Sequence, residues 1–495
     1  MLFNTFEFLF FFLPLTIAGL FVFGRAGNNR LAVFFLACAS LLFYGWANPA
    51  SLGLILTSIV VNYLLWLGLG TTHEANTFLR KLLLGGGITF NLGLLGYYKY
   101  ADFFLANLAA VSGTTHLSGT VVQPLAISFF TFQQIAFLVD SYRGETREQS
   151  LLHYVLFVSF FPQLVAGPIV RHHETMPQYI NRFFPRIRAE HVSIGLTLVC
   201  LGLFKKVVLA DSVALSVGPA FQAAEQGAVL NFFDAWAASL AYTFQLYFDF
   251  SGYTDMALGI ARIFGIYLPI NFNSPYKAAN MIEFWKRWHI SLSRFLRDYL
   301  YIPLGGNRKG RARRYLNILV TMLLCGLWHG ANWTFVAWGA LHGLLLVVNH
   351  AWRAVKETLG ITIDRWWSRV LAQVITFMAV AAAWVIFRAE SLNGAFNILY
   401  AMTGLNGFTV HADFTSFALV KLLLGLSVIV FLLPNTIEIV DPKGYNLDET
   451  RTSAPKFFQR LQWQPNLIWM AFTAVCALSA VYNLSEVREF IYSGF

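Results

Sequence analysis

The hydrophobic residues of this chain fall into long apolar runs separated by short polar segments. Fourteen runs are candidate membrane-spanning or re-entrant helices, and several are shorter than the roughly 20 residues that cross a bilayer core. They are 8–23, 31–46, 52–69, 82–98, 124–139, 151–170, 192–204, 232–248, 253–266, 315–328, 333–349, 370–387, 417–433 and 467–484. We expect roughly eleven true crossings, with the remaining runs re-entrant or interfacial.

Composition agrees with lipid as the solvent of this chain. Of its 495 residues, 57% are hydrophobic and 12% are charged, whereas a soluble domain carries about 25% charged residues. No linker of Pro, Gly or Ser and no long polar tract interrupts the sequence. The pattern therefore predicts an all-α polytopic membrane protein with one membrane-embedded domain over residues 1–495.

Two polar features inside the apolar runs favour structural interpretations. Pro162, Gly167 and Pro168 interrupt the run 151–170, which predicts a re-entrant segment that faces a cavity. The following His172-His173-Glu174 lacks the spacing of a metal motif, and we interpret it as an interfacial loop without metal. The four cysteines lie in apolar runs without CxxC spacing and are interpreted as small buried side chains: Cys38, Cys200, Cys325 and Cys476.

Positive charge is concentrated in the segment from Lys277 to Arg314. Ten cationic side chains and two carboxylates give this segment +8 of the formal net charge of +10. Basic residues between apolar runs mark cytoplasmic loops of membrane proteins, so segment 277–314 is predicted to be cytoplasmic. Its expected anionic partners are lipid head groups or a phosphate-bearing cofactor rather than nucleic acid.

A helix at the membrane interface is predicted from Met281 to Leu300. Its apolar stripe has helical spacing and consists of Met281, Trp285, Trp288, Leu292, Phe295 and Tyr299. Charged residues occupy the other side, which is typical of a helix in the head-group region. His289 falls with the apolar stripe, so it points toward lipid or protein. Both a structural hydrogen bond and a functional role remain open for it.

His329 is a further ionisable side chain within apolar sequence. If Arg314 marks the cytoplasmic interface, His329 lies 15 residues further on, roughly 22 Å deep at 1.5 Å per helical residue. A histidine at that depth is a functional candidate, because neutral imidazole can take a proton from a hydroxyl or thiol. Gly326 and Gly330 would allow a ligand to approach closely, and Asn332 could stabilise an oxyanion. The residues alone leave catalysis and a structural hydrogen bond equally open.

Other polar residues and missing motifs narrow the alternatives. Asp249 and Asp255 lie between two predicted spans, where Asp255 could pair with Arg262 or handle a substrate. Lys205 and Lys206 follow an apolar run and are expected to snorkel to the interface. The chain has no G-x-x-x-x-G-K-[ST] phosphate loop and no G-x-S-x-G nucleophile elbow, so no ATPase or serine hydrolase is indicated.

Three long motifs resemble the membrane-bound O-acyltransferase family, and within it the bacterial alginate O-acetylation branch. They are Phe-Trp-Lys-Arg-Trp-His-Ile-Ser-Leu-Ser from Phe284, Tyr-Ile-Pro-Leu-Gly-Gly-Asn from Tyr301, and Gly-Leu-Trp-His-Gly from Gly326. Supporting matches are Phe-Ser-Gly-Tyr-Thr-Asp-Met-Ala from Phe250, Phe-Pro-Gln-Leu-Val-Ala-Gly-Pro from Phe161 and Leu-Phe-Tyr-Gly-Trp from Leu42. The resemblance extends to about His350, with a motif-bearing core at about 124–350.

The resemblance implies a ring of helices around a central funnel or tunnel, with His329 as the catalytic histidine and His289 supporting it. Further candidates for donor or substrate binding are Asn332, Trp328, Trp285, Arg287 and Asp255. The donor would be cytoplasmic acetyl-CoA, with no permanently bound cofactor. The acetyl group would cross the bacterial inner membrane to a periplasmic partner that resembles SGNH hydrolases, which would acetylate a polysaccharide such as alginate.

Two sets of alternatives remain open at the level of sequence. The acceptor could be acetylated cellulose, another exopolysaccharide or peptidoglycan, while transfer of D-alanine to teichoic acid fits the motifs less well. A transporter or flippase for a lipid-linked sugar would use the same broken helices and buried polar groups, and a scaffold of a polysaccharide export machine would need no chemistry. The side chain of His329 discriminates these classes, since an enzyme needs it and a scaffold does not.

Overall fold

The computed structural model describes residues 1–25, 27–46, 48–72, 76–114, 121–146, 150–181, 184–185, 187–360, 365–411, 414–445, 461–484 and 491. Within these residues the regular structure is helical and contains no strand. The predicted all-α fold class is therefore confirmed. The chain divides into two compact units, the first with Met1–Leu203, Tyr253–Pro269 and Pro465–Phe495, the second with Phe204–Gly252 and Ile270–Gln464. The single domain over residues 1–495 stays a prediction.

Most helices of the first unit overlap the predicted apolar runs, whereas Ala101–Ser112 and His172–Ile180 lie outside them. The helices of this unit are α1 (Leu13–Arg25), α2 (Asn29–Gly45), α3 (Pro49–Thr71), α4 (Thr77–Leu95), α5 (Ala101–Ser112), α6 (Ile127–Tyr142), α7 (Leu151–Ser159), α8 (Phe161–Leu164), α9 (His172–Ile180) and α10 (Ala189–Phe204). Asparagine and serine side chains begin several of them; Asn28 Oδ1, for example, accepts the Leu31 amide at 3.2 Å. Its core is largely aromatic, with Phe3, Phe8 and Phe161 fully buried.

The proline-rich segment after α7 has the irregular, buried backbone that its sequence predicts. The helix α8 has four residues, and the chain then runs without regular structure to Arg171. Gly167 lies so close to its own chain that an added Cβ would be 2.4 Å from the Gln163 Cα. The interpretation of His172-His173-Glu174 as a loop is wrong, because these residues form the first turn of α9. Glu174 accepts the Arg171 amide at 2.8 Å and so satisfies the start of that helix.

The second unit contains the basic segment and both candidate catalytic histidines. Its helices are α11 (Asp211–Glu225), most of α12 (Phe232–Ile263), α13 (Met281–Arg287), α14 (Ile290–Leu296), α15 (Gly310–His329), α16 (Trp333–Thr358), α17 (Trp366–Arg388), α18 (Leu392–Met402), α19 (Phe417–Leu432) and α20 (Thr436–Val440). A last helix, α21 (Leu467–Tyr482), belongs to the first unit. Ring contacts of α17 with α15 and α16 bring the end of α17 beside the end of α15.

Six helical stretches of the described residues are long and apolar enough to cross a membrane. They are Phe8–Arg25, Pro49–Thr71, Thr77–Ser112, Ala189–Glu225, Trp333–Thr358 and Trp366–Arg388, and the shorter apolar helices α2, α19 and α21 add to them. Exposed Leu, Phe, Val and Trp side chains are numerous on these helices, as expected where lipid replaces water. The chain is thus a multi-pass membrane protein, while the number of roughly eleven crossings stays a prediction.

The two predicted spans 232–248 and 253–266 are one continuous helix. Helix α12 has 32 residues and runs through the polar stretch that was expected to separate two spans. The expectation failed because the polar side chains have partners: Asp249 is 2% exposed and lies 3.0 Å from the Lys206 ammonium. A charge that is neutralised beside the helix does not require the helix to end.

Lys206 is also placed differently from its prediction as a snorkelling interface residue. Its side chain is 2% exposed, and its Nζ lies 2.8 Å from the Asp211 carboxylate in addition to the contact with Asp249. A π-helical turn, Lys205–Ala210, joins α10 to α11 at this position. The sequence pattern of an apolar run followed by lysines is the same for a lipid-facing and a buried lysine, so only the partners distinguish them.

Removal of this buried ammonium should destabilise the protein strongly. Lys206→Met removes the cation that lies 3.0 Å from the Asp249 carboxylate, and breaking a buried ion pair on one side lowers the free energy of unfolding by about 3–5 kcal/mol. Lys205→Met is the matched control, since Lys205 is only half-buried. Thermal melting of both variants in the same detergent measures the difference. Equal melting temperatures would contradict a structural role for the Lys206 cluster.

Candidate active site

The hairpin of α15 and α16 positions His329. Helix α15 ends at His329, Gly330 is extended, and Asn332 caps α16 by accepting the Thr334 amide at 3.1 Å. The two helices approach each other at Gly326 and Gly339, where a Cβ on Gly326 would be 2.2 Å from the Phe335 carbonyl oxygen. The glycines are needed for this close backbone contact, which holds the end of α15 against α16.

His329 is enclosed by aromatic rings. It is 1% exposed, and its ring centroid lies 4.9 Å from Trp328, 5.1 Å from Trp338 and 5.3 Å from Phe387. These rings meet it edge to face, the arrangement that aromatic pairs prefer. The imidazole is therefore held in one orientation at a position that bulk water does not reach.

His289 lies at a break that the sequence pattern did not predict. The expected single helix from Met281 to Leu300 is wrong: α13 ends at Arg287, α14 begins at Ile290, and His289 between them has φ +42°. Asn271 fixes the break, because its carbonyl accepts the Ile290 amide at 3.0 Å and its side chain accepts the Ser291 hydroxyl at 2.7 Å. These local bonds offset the cost of a left-handed residue.

The break directs His289 into the protein beside the His329 site. His289 is fully buried, with its ring 4.9 Å from Phe250 and 6.2 Å from Trp328. Trp328 thus contacts both histidines. Burial lowers the pKa of His289 to about 3, because the apolar surroundings disfavour the imidazolium. At neutral pH this side chain is therefore a neutral imidazole.

Two other predicted site residues, Asn332 and Arg287, are engaged in structural contacts, and a third, Asp255, is buried. The Asn332 amide nitrogen donates to the Glu390 carbonyl at 2.9 Å while its oxygen caps α16. Arg287 binds the Glu283 carboxylate at 2.8 Å and the Asn273 carbonyl at 3.2 Å. Asp255 is 5% exposed and belongs to the first unit. Of the predicted residues, the structure gathers His329, His289 and Trp328 into one cluster.

Trp285 leads to a residue that sequence reasoning missed. Its indole nitrogen donates to Nδ1 of His342 at 3.3 Å, and His342 is fully buried in α16. Trp338 lies between the two histidines of the hairpin, 5.1 Å from His329 and 4.7 Å from His342. The sequence did contain an indication of His342, because an ionisable side chain within a long apolar run is a functional candidate. His342 lies as deep in such a run as His329 does.

The opposite end of α15 carries the exposed positive charge. Arg308, Lys309, Arg311 and Arg313 are exposed, and Arg314 contacts His350. Other cations of the segment are used internally, as Arg287 is, and Lys277 donates to the Leu433 carbonyl at 2.5 Å. The α15 helix has 20 residues, roughly 30 Å at 1.5 Å per residue, so one helix joins an exposed basic surface to a buried histidine.

Comparison with known proteins agrees with the motifs. The model of the membrane-bound O-acyltransferase family matches residues 146–387. A peptidoglycan O-acetyltransferase of Helicobacter pylori is 45% identical over 436 residues, 83% of this chain and 81% of that protein. A probable alginate O-acetylase of Azotobacter vinelandii is 40% identical over 438 residues, 87% and 84% of the two chains.

A more distant relative shares the same core. A teichoic acid D-alanyltransferase of Streptococcus thermophilus is 31% identical over 314 residues, 59% of this chain and 75% of that protein. The acetylases match along most of their length and at higher identity, which confirms the branch that the sequence motifs indicated. The chain is an acyltransferase and belongs to the membrane-bound O-acyltransferase family.

Proposed function

We propose that this protein takes acetyl groups from acetyl-CoA on the cytoplasmic side of the bacterial inner membrane and passes them across it for O-acetylation of a cell-surface polysaccharide. His329 is the general base of this reaction. The observation that carries the proposal is helix α15, which begins at an exposed basic surface and ends at the enclosed His329. A donor bound at one end and an acceptor at the other would meet at the histidine.

The basic surface suits the donor. Arg308, Lys309, Arg311 and Arg313 offer charge-assisted hydrogen bonds to phosphates, of which coenzyme A carries several. Basic residues between membrane segments also lie on the cytoplasmic side, where acetyl-CoA is made. Guanidinium groups at the start of α15 add to the positive end of the helix dipole, which favours the same anions.

The acceptor would arrive at the other end of α15. Beside the end of α17 is a cavity of about 460 Å³ whose polar lining includes Gln222, Glu225, Arg388 and Glu390. Arg388 follows Phe387, which contacts His329, and the Glu390 carbonyl accepts the Asn332 amide. Such a lining can bind hydroxyl groups as both donors and acceptors. This cavity supports an approach from the side opposite the basic surface.

The reaction itself is a transfer between a thioester and a hydroxyl. His329 takes the proton of the acceptor hydroxyl as its oxygen bonds to the acetyl carbonyl carbon. The carbon–sulfur bond then breaks, and the proton passes from the imidazole to the leaving sulfur, which yields the acetyl ester and free coenzyme A. The aromatic enclosure around His329 excludes water, the competing nucleophile. No covalent acyl-enzyme is required.

The final acceptor is proposed from the relatives. Several acetylases of the same branch are named for alginate, which makes a secreted polysaccharide such as alginate one candidate. The 45% identity to a peptidoglycan O-acetyltransferase specifically favours peptidoglycan as the second. In both cases a periplasmic partner of the class that resembles SGNH hydrolases would receive the acetyl group and place it on the glycan hydroxyl.

The test uses the purified protein in lipid vesicles with radiolabelled acetyl-CoA and the co-expressed periplasmic partner. We expect release of free coenzyme A and transfer of label to the partner when the donor is supplied on the side of the basic segment. Turnover of acetyl-CoA only when it is supplied on the side opposite the basic segment would contradict the proposed direction of acetyl transfer. If the protein neither bound acetyl-CoA nor turned it over, a transport function would be favoured over acyl transfer.

A further inference from the structure

Two buried ring N–H groups of helix α16 have no hydrogen-bond acceptor among the residues that the structure describes. They are the indole Nε1 of Trp338 and the imidazole Nε2 of His342. Both side chains are fully buried. Buried N–H groups without an acceptor are rare in folded proteins, since desolvation costs free energy that a hydrogen bond would offset.

The hydrogen bond from Trp285 determines which ring nitrogen of His342 carries the proton. Trp285 donates its indole N–H to Nδ1 of His342 at 3.3 Å. A nitrogen that accepts a hydrogen bond carries no proton, so the neutral ring has its proton on Nε2. Trp285 thereby fixes His342 as a donor at Nε2, in the way that a neighbouring group commonly fixes the tautomer of a functional histidine.

The two donors belong to the same group of packed rings as the proposed general base, which Trp338 contacts directly. The Trp338 ring is 5.1 Å from His329 and 4.7 Å from His342, and these three side chains belong to one aromatic cluster with Trp384 and Phe387. If packing were the whole purpose, Phe and Leu would fill these positions without a buried N–H. A pair of donors beside a base is suited to a ligand atom that only accepts hydrogen bonds.

We propose that the Trp338 Nε1–H and the His342 Nε2–H bind the carbonyl oxygen of the acyl group and stabilise the oxyanion that forms on it. The inference rests on the proposed acyl transfer at His329. When the acceptor oxygen adds to the carbonyl carbon, the electron pair of the C=O π bond moves to the carbonyl oxygen, which becomes the oxyanion. The pair returns to re-form the carbonyl as the carbon–sulfur bond breaks, and the thiolate leaves with the proton that His329 holds.

This assignment replaces the one that the sequence suggested for Asn332. Both ends of the Asn332 amide are used, by the Thr334 amide and the Glu390 carbonyl. Trp338 and His342 differ in that their donors remain available within a water-poor enclosure. Hydrogen bonds to a developing negative charge are strongest in such surroundings, because no solvent has to reorganise.

Three variants separate the oxyanion role from a packing role. His342→Asn keeps an acceptor near Nδ1 for Trp285 but removes the Nε2 donor, whereas His342→Gln places an amide donor near Nε2 and loses the Nδ1 acceptor. Trp338→Phe removes the indole donor and keeps an aromatic ring. Trp352→Phe is the control, because Trp352 is in the same helix and 55% exposed.

Steady-state kinetics with acetyl-CoA should give a defined pattern. Trp338→Phe and His342→Asn each lower kcat about 100- to 1,000-fold, the effect of removing one oxyanion donor, with little change in KM. His342→Gln retains more activity than His342→Asn, and Trp352→Phe behaves as the wild type. Greater activity of the Asn variant than of the Gln variant would overturn the proposal. It would mean that His342 matters as the acceptor of the Trp285 indole N–H and not as a donor at Nε2.

An infrared measurement tests the same contact without turnover and without relying on activity. In His329→Ala protein, 13C-labelled acetyl-CoA should show its carbonyl band at lower frequency than in water-free solvent, because two N–H groups donate to it. Adding Trp338→Phe and His342→Asn should move the band back. A band that is insensitive to both changes overturns the inference, whereas a wild type that never turns over acetyl-CoA would instead contradict the proposed function.

Discussion

Replacement of His329 by Ala is expected to lower the rate of acyl transfer about 10²- to 10⁴-fold, the range that general acid–base catalysis contributes. The reason is chemical, because among the described residues His329 is the imidazole that contacts all three rings of the enclosure, Trp328, Trp338 and Phe387. The measurement is release of coenzyme A from acetyl-CoA by protein in lipid vesicles, at matched protein amounts.

The controls distinguish lost chemistry from lost folding. His173 is exposed at the start of α9, so His173→Ala removes a histidine from the surface of the first unit and should leave the rate unchanged. Binding of acetyl-CoA to His329→Ala should persist, since the basic surface lies at the other end of α15. A His329→Gln variant that keeps the wild-type phenotype would contradict the enzyme and favour a transport function.

Much of this architecture could be predicted because lipid constrains a chain to helices. The apolar runs located α3, α15 and α17 to within about five residues, whereas α16 continues nine residues beyond its run, and the polar intrusion at His329 singled out the end of α15. The exposed arginines after Asn307 were also anticipated from charge alone. These features depend on local sequence, and local sequence determines the hydropathy of a single helix.

The features that sequence could not predict depend on partners distant in the chain. The apolar stripe through His289 has perfect helical spacing, yet Asn271 breaks the helix there by binding the Ile290 and Ser291 amides. Helix α12 continues through Asp249 because Lys206, more than 40 residues earlier, neutralises it. The depth of His342 in apolar sequence was visible, but its hydrogen bond from Trp285, 57 residues earlier, was not. Periodicity carries no information about such tertiary hydrogen bonds.

Substitution of Gly326 or Gly339 by Ala should separate α15 from α16 and disable the site. A Cβ on Gly326 would lie 2.2 Å from the Phe335 carbonyl oxygen, and one on Gly339 would lie 2.3 Å from the Met322 carbonyl oxygen. Both obstacles are backbone atoms, which cannot rotate away. Overpacking of this kind destabilises by about 1–3 kcal/mol, and a shift of His329 by about 1 Å can cost about 100-fold in rate.

Four glycines of the second unit differ in how much space an added Cβ would have, and this makes the test quantitative. A Cβ on Gly343 would meet the Leu319 side chain at 3.2 Å, and one on Gly425 in α19 would meet nothing within 4 Å. We therefore expect Gly326→Ala and Gly339→Ala to lose the most activity and thermal stability, and Gly343→Ala less. Gly425→Ala should gain about 0.5–1 kcal/mol from the better helix propensity of alanine. Melting temperature and coenzyme A release measured on all four would reveal this order. A Gly326→Ala protein as active as Gly425→Ala would show that the backbone contact between the two helices does not position His329.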